Sequence, residues 1–218
     1  MVVVNQFLIG DYQNFVYLIT SGTESLVVDP QADLSPWVDR MNELGSKLVG
    51  VLLTHTHWDH VRGLPAVVEK FCSGRDFPPI YLHKLDARRM QSKAEEIRTR
   101  FRFVDEGTRI PVGSHAVEVL HTPGHSAGEC CYLVRDGAQN HLFTGDTVFV
   151  GDVGRTDGET GSTKEMFASL QRLKELPADT ILYPGHDYGK TPTTSLAREC
   201  KESAAFRCRT VEELDALP

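Results

Sequence analysis

Short apolar runs alternate with turn residues along the chain, and the length and period of each run predict its element. Val2 to Ile9, Phe15 to Thr20 and Ser25 to Asp29 are β-branched and aromatic stretches. Gly10-Asp11 and Asn14 separate the first two, and Asp29-Pro30 closes the third, so all three read as strands. Ser35-Pro36 reads as an N-cap followed by proline in the first turn, opening a helix that runs to about Leu44 and stops at Gly45. Leu48 to Leu53 is continuously apolar, which predicts a strand buried on both faces. Leu64, Val67, Val68 and Phe71 recur at helical spacing, and Ile80 to His83 is a short strand. Lys84 to Arg102 is densely charged and predicts a helix with a solvated face.

The second half has the same style. Thr108 to Pro111, Ala116 to Leu120, Cys130 to Val134 and His141 to Thr144 read as strands, the last two joined by a turn at Asp136-Gly137. Ser162 and Glu165 fit a capping box opening a helix through Leu173, and Thr210 and Glu213 fit a second. Thr180 to Tyr183 is a last strand, with helices over Leu196 to Ala205 and Val211 to Leu217. Two runs of strands with attached helices predict an α/β fold of two packed sheets, helices outside, with loops from both halves along one edge. No linker or low-complexity tract divides the chain, so residues 1–218 are read as one domain.

Composition narrows the partners more than the fold. A formal net charge of −7 argues against a nucleic-acid binder, which needs basic surface to neutralise phosphates. No apolar run approaches the ~20 residues of a membrane span, and the N-terminus lacks the pattern of a signal peptide. Cys72, Cys130, Cys131, Cys200 and Cys208 are an odd set without a C-x-x-C pair, as expected of reduced thiols in a cytoplasmic protein.

The chemistry concentrates in Thr54-His55-Thr56-His57-Trp58-Asp59-His60, directly after the buried strand. If the chain stays extended past Thr54, the imidazoles of His55 and His57 share one face and can hold one metal together. Where it turns into the next helix, Asp59 and His60 can be redirected toward a second. Imidazole with carboxylate suits zinc, iron or manganese. Three later segments fit the same place: Thr122-Pro123-Gly124-His125, Phe143-Thr144-Gly145-Asp146 and Tyr183-Pro184-Gly185-His186 each set a histidine or carboxylate at the end of a strand. His83, His115, His121 and His141 lie outside these motifs and read as surface or satisfied core residues.

The ordered set His-x-His-x-Asp-His, Thr-Pro-Gly-His, Gly-Asp and Pro-Gly-His resembles the metallo-β-lactamase superfamily over nearly the whole chain. The resemblance implies an αββα sandwich of two mixed sheets with helices on the outer faces. It also implies that His55, His57 and His125 bind a first metal, that Asp59, His60 and His186 bind a second, and that Asp146 bridges them. Two such ions, about 3.5–4 Å apart, share a bridging hydroxide that is nucleophilic at neutral pH, which makes ester, thioester or lactone hydrolysis the expected chemistry. Asp59 and Asp146 are then the catalytic carboxylates. An oxygen ligand at Asp146, where zinc β-lactamases often carry cysteine, points away from β-lactam hydrolysis.

Flanking residues resemble glyoxalase II (hydroxyacylglutathione hydrolase) and its relatives: Gly145-Asp146-Thr147-Val148-Phe149 with Gly154-Arg155, and Gly185-His186-Asp187-Tyr188. That resemblance implies a glutathione thioester as substrate, with Arg155 and Tyr188 as its contacts and zinc as the first choice of metal. A thiolate, with a conjugate acid near pKa ~8.5, departs without a dedicated proton donor. Persulfide dioxygenases share Gly154-Arg155-Thr156-Asp157 and His186-Asp187-Tyr188, and that second resemblance implies one Fe(II) held by His55, His125 and Asp146, acting on glutathione persulfide. A lactonase or a non-catalytic metal-binding module completes the alternatives.

Overall fold

The computed structural model describes residues 1–71, 77–90, 95–137 and 139–217. Cys72 and part of the predicted 84–102 helix lie outside them. Two six-stranded mixed sheets form the centre. The first contains β1 (Val2–Leu8), β2 (Phe15–Ser21), β3 (Glu24–Val28), β4 (Lys47–Leu52), β5 (Ile80–His83) and β6 (Phe101–Val104), paired in that order. Its first three strands are antiparallel neighbours and the rest pair in parallel. The second contains β7 (Arg109–Val112), β8 (His115–His121), β9 (Cys130–Asp136), β10 (Gln139–Gly145), β11 (Ile181–Pro184) and β12 (Thr194–Ser195), again adjacent in chain order. Here only β10 and β11 run parallel.

Side-chain alternation explains why so many strands read as unbroken apolar runs. On β2, Phe15, Tyr17 and Ile19 face the opposing sheet, while Val16 and Leu18 pack outward under the helices α1 (Ser35–Glu43) and α2 (Leu64–Phe71). On β9, Cys130, Tyr132 and Val134 face inward, while Cys131 and Leu133 pack under α4 (Thr163–Leu173) and α5 (Leu196–Glu202). Both faces of β2 and of β9 are therefore dry, and the order of layers is helix, sheet, sheet, helix. The expected αββα sandwich is what forms.

Several local expectations change. Among the described residues Lys84 to Arg102 is not one continuous helix: a 3-10 turn spans Ala87–Met90, α3 covers Glu95–Arg98, and Phe101–Val104 becomes the edge strand β6 beside β5. Pairing at the open sheet edge overrides the helical charge pattern there. At α1 the N-cap is Leu34, not Ser35, and the Asp33 carboxylate accepts the Ser35 N–H at 3.0 Å. The predicted helix over Leu196 to Ala205 breaks at Ser203, whose extended backbone separates α5 from α6 (Ala204–Arg207). Both capping boxes form their main hydrogen bond, Glu165 N to Ser162 Oγ at 3.2 Å and, opening α7 (Val211–Asp215), Glu213 N to Thr210 Oγ1 at 3.3 Å. Cys130, Cys131, Cys200 and Cys208 are free thiols. Among the described residues no helix is long and apolar enough to cross a membrane.

Two buried tyrosines cross the sandwich at one edge. Tyr17 of the first sheet donates its hydroxyl to Pro184 O of the second at 2.5 Å, and Tyr132 of the second donates to Leu53 O of the first at 2.7 Å. Those two carbonyls lie just before Gly185-His186 and Thr54-His55. The ties between the sheets thus fix the starting points of two of the histidine-bearing loops.

Candidate metal centre

β4 ends at Leu52, and the chain bends at Thr54 before the histidine motif. Thr56 turns away and is held by Asp86, whose Oδ2 accepts Thr56 N at 3.1 Å, leaving His55 and His57 on the opposite side with ring centroids 4.7 Å apart. A turn then closes with His60 N on His57 O at 3.0 Å and swings Asp59 and His60 back over the same edge. The sheet-two loops bring the others: His125 after β8, Asp146 after β10 and His186 after β11. Two glycines make this approach possible. Gly145 adopts φ +49°, and a Cβ on Gly185 would stand 2.4 Å from Asp146 Oδ1.

All seven motif residues meet in one cluster. His55, His57 and His125 bring ring nitrogens together at one place, and an Asp59 carboxylate oxygen meets ring nitrogens of His60 and His186 at another, each group able to hold a metal ion. Asp146 lies between. Its Oδ2 is 3.5 Å from His125 Nε2 and 4.0 Å from His55 Nε2, while its Oδ1 is 3.4 Å from both His60 Nε2 and His186 Nε2.

The tautomers show what the cluster lacks on its own. His125 Nδ1 donates to Arg155 O at 2.9 Å, His186 Nδ1 to Tyr12 O at 2.8 Å, and His60 Nδ1 to Asp29 Oδ2 at 3.0 Å. Their Nε2 atoms point inward, toward one another and toward Asp146. His60 Nε2 faces His186 Nε2 at 3.1 Å, and His125 Nε2 faces His57 Nδ1 at 2.8 Å. Each of these nitrogen pairs needs a proton or a cation between its two lone pairs, and a metal ion can take the proton's place. His55 Nε2 and Asp146 Oδ1 are buried with no hydrogen-bond partner, which costs free energy unless something binds them. The donor set fits divalent metal.

The electrostatics of the cluster agree with this. Burial, then the neighbouring His60 and His125, hold His55 well below the ordinary histidine range, and burial with His125 takes His57 down to about 4. Burial also opposes charge on His60, but Asp146, Asp29 and Asp59 outweigh it and raise His60 to about 9. Asp146 is held well below the usual carboxylate range: burial works against ionisation, and His60, His186 and His125 overcome it. A pocket that keeps a proton to pH ~9 is one that favours positive charge.

A family model described as the metallo-beta-lactamase superfamily matches residues 9–186. The chain belongs to the metallo-β-lactamase superfamily. Within it, the chain is 33% identical over 188 residues to a probable polyketide biosynthesis zinc-dependent hydrolase, PksB of Bacillus subtilis, covering 85% of this chain and 78% of that protein. It is 37% identical over 175 residues to a hydroxyacylglutathione hydrolase of Aeromonas hydrophila, covering 80% of this chain and 61% of that protein. The crystal structure of ETHE1 from Myxococcus xanthus superposes with a TM-score of 0.81 at 29% identity, covering 99% of this chain and 92% of that one.

This metallo-β-lactamase family member has a cavity of about 470 Å³ above the cluster. Its floor is polar, from His57, Asp59, His125, Asp146 and His186, and its rim is largely aromatic. Tyr188 stacks on the His186 ring with centroids 4.6 Å apart and planes at 8°, and Trp58 meets Tyr12 edge-on at 4.9 Å. Arg155 is also at the rim, exposed, with its Nε 3.6 Å from the exposed Asp157 carboxylate. The four remaining histidines stay outside the cluster: His83 stacks on His121, His115 sits 3.2 Å from Asp136, and His141 bonds the Tyr183 hydroxyl at 3.0 Å.

Three carboxylates behind the cluster escape motif reading. Asp29 accepts from His60 Nδ1, Thr54 N and Thr54 Oγ1, and Asp86 braces Thr56, Ser126 and Gly128. Glu129 is fully buried, and burial with the Asp146 anion pushes its carboxyl well above the ordinary range. A charged residue entering the apolar β9 run is the one signal that could have marked it.

Proposed function

We propose that the cluster holds two divalent ions, zinc first, with iron or manganese as alternatives, and that the protein hydrolyses a thioester of the glyoxalase II type, an acylglutathione. The observation that carries this reading is the placement of Asp146, which turns one carboxylate oxygen to each histidine group. In the first position the ligands are His55, His57 and His125; in the second they are Asp59, His60 and His186.

Ions bound there would supply a water acidified to near-neutral pKa and a Lewis acid for the acyl carbonyl. The protein's own part is placement. Asn14 Nδ2 donates to Asp59 Oδ2 at 3.1 Å and holds that carboxylate at the cavity floor, where it would accept the proton that the attacking water gives up. Tyr188 and Arg155 receive the thiol arm. Arg155 grips a substrate carboxylate with two parallel hydrogen bonds, and its exposed pair with Asp157 is given up at little cost. The thiolate then leaves without an acid, which suits a rim built of aromatic rings.

The similarity to ETHE1 favours a second reading, a persulfide dioxygenase with one iron on His55, His125 and Asp146. It leaves His57, Asp59, His60 and His186 without a metal to bind. Assaying the purified protein with S-lactoylglutathione and, separately, with glutathione persulfide in an oxygen electrode tests both. Thiol release from the first and no oxygen uptake with the second are expected. Thiol-dependent oxygen consumption without acylglutathione turnover overturns the hydrolase reading.

A further inference from the structure

Tyr12 and Trp58 line the cavity above the cluster, and none of the roles assigned so far uses them. Trp58 is 53% exposed and Tyr12 49%, so two aromatic rings stand in water beside a polar floor. Neither is loosely held. Trp58 lies in the chain between His57 and Asp59, and its backbone moves only with theirs. Tyr12 O accepts from His186 Nδ1 at 2.8 Å, and the next carbonyl, Gln13 O, accepts from Asp187 N–H at 2.8 Å. The rings brace each other edge-on with centroids 4.9 Å apart, and the Arg62 guanidinium lies over the Trp58 ring, 5.2 Å from its centroid. Arg62 Nη1 in turn donates to Asp11 Oδ2 at 3.2 Å.

We propose that Tyr12 and Trp58 form the acyl subsite and select thioesters whose acyl group carries an aromatic or bulky apolar substituent. This rests on the thioester-hydrolase reading and specifies its substrate. Trp58 is flanked by one residue from each metal-holding group, His57 and Asp59, so the wall begins where the acyl carbonyl would meet the ions. Charge separates the two arms of the substrate. Arg155 at the rim can take a carboxylate of the thiol arm, whereas Arg62 and Asp11 satisfy each other and offer no net charge to draw a charged acyl group. Rings fixed before binding cover an apolar substituent at little cost in ordering. A lactoyl group has one methyl to lay against them; a mandeloyl group has a phenyl ring.

S-lactoylglutathione and S-mandeloylglutathione share the thiol arm and the α-hydroxyl and differ in methyl against phenyl. Hydrolysis of both is measured for wild type, Trp58→Ala, Trp58→Phe and Tyr12→Ala, each checked for wild-type metal content. The ratio of kcat/KM, mandeloyl over lactoyl, should fall about tenfold in Trp58→Ala, less in Tyr12→Ala, and hold in Trp58→Phe. Equal loss of both substrates in Trp58→Ala, with the ratio unchanged, overturns the proposal, because a contact to the thiol arm or a prop for the metal loop gives that result. Binding is read without turnover from Trp58 itself. The chain has two tryptophans and Trp37 is wholly buried, so acrylamide quenches chiefly Trp58. Mandelate should protect Trp58 from quenching far better than lactate, which has the same hydroxy-acid head. Equal protection by the two acids, protection by glutathione as strong as mandelate's, or no protection overturns the proposal. If the wild type hydrolyses neither thioester, the hydrolase reading falls, and mandelate against lactate still decides whether this wall receives the apolar substituent. If Trp58→Ala does not fold, Tyr12→Ala and the protection of wild-type Trp58 decide in the same way.

Discussion

His55, His57 and His125 form a group of imidazoles alone, whereas Asp59, His60 and His186 include one carboxylate and lean on a second, Asp29, behind His60. The first group suppresses protonation, with His57 taken down to about 4 by burial and by His125. The second attracts it, with Asp146, Asp29 and Asp59 raising His60 to about 9 against the opposing effect of burial. Both groups share Asp146, yet they prepare for a cation in different ways. In one, His55 and His57 are neutral donors that need no deprotonation at pH 7. The other offers stored negative charge and must expel a proton as metal enters.

Experiments can break this difference in stages. Asp146→Ala removes the group common to both sides and should have the largest effect: loss of both ions by elemental analysis and a fall in kcat/KM of at least ~10³-fold, ~4 kcal/mol. His57→Ala touches only the imidazole group. It should remove one ion and most hydrolysis while leaving His55, His125 and Asp146 in place, and full retention of hydrolysis would argue that the first group holds no ion. Arg155→Ala leaves both groups intact and should raise KM for S-lactoylglutathione roughly tenfold, the ~1.5–3 kcal/mol scale of a hydrogen bond to a charged group, with kcat nearly unchanged.

The smallest effect belongs to the metal-stripped protein and follows from linkage. His60, raised in the folded state, contributes stability that is fully present below its unfolded pKa of about 6.5 and is lost as pH rises toward about 9. His57, lowered in the folded state, works the other way. Its penalty is absent above about 6.5 and grows as pH falls toward about 4. These two residues together place a stability maximum near pH ~6.5, readable as Tm of chelator-treated protein across pH. Loading with zinc should flatten the alkaline side, since the ion replaces the proton on the second group.

The seven motif residues were legible because their spacing rides on strand ends, where period two and a tight turn decide which side chains converge. The carboxylates behind them were not. Asp29 and Glu129 lie against His60 and His55 across 31 and 74 positions of chain, and no local pattern names the histidine that either meets. Asp29 is followed by Pro30 and read as a strand terminus; its positive φ of 47° and its three accepted hydrogen bonds exist only in the folded sandwich. The strands were legible where both faces are apolar, as in β2 and β9. The segment from Phe101 to Val104 was not, because its Arg102 and Phe103 are exposed at a sheet edge and its charge pattern reads as helical. The two-residue strand β12 is too short to carry any period.

The most direct test of a two-metal centre is the number of ions per chain in protein purified without added metal. Inductively coupled plasma analysis should return close to two divalent ions per polypeptide, zinc foremost, with one lost in His57→Ala. One tightly held iron per chain, unchanged by His57→Ala, would contradict it.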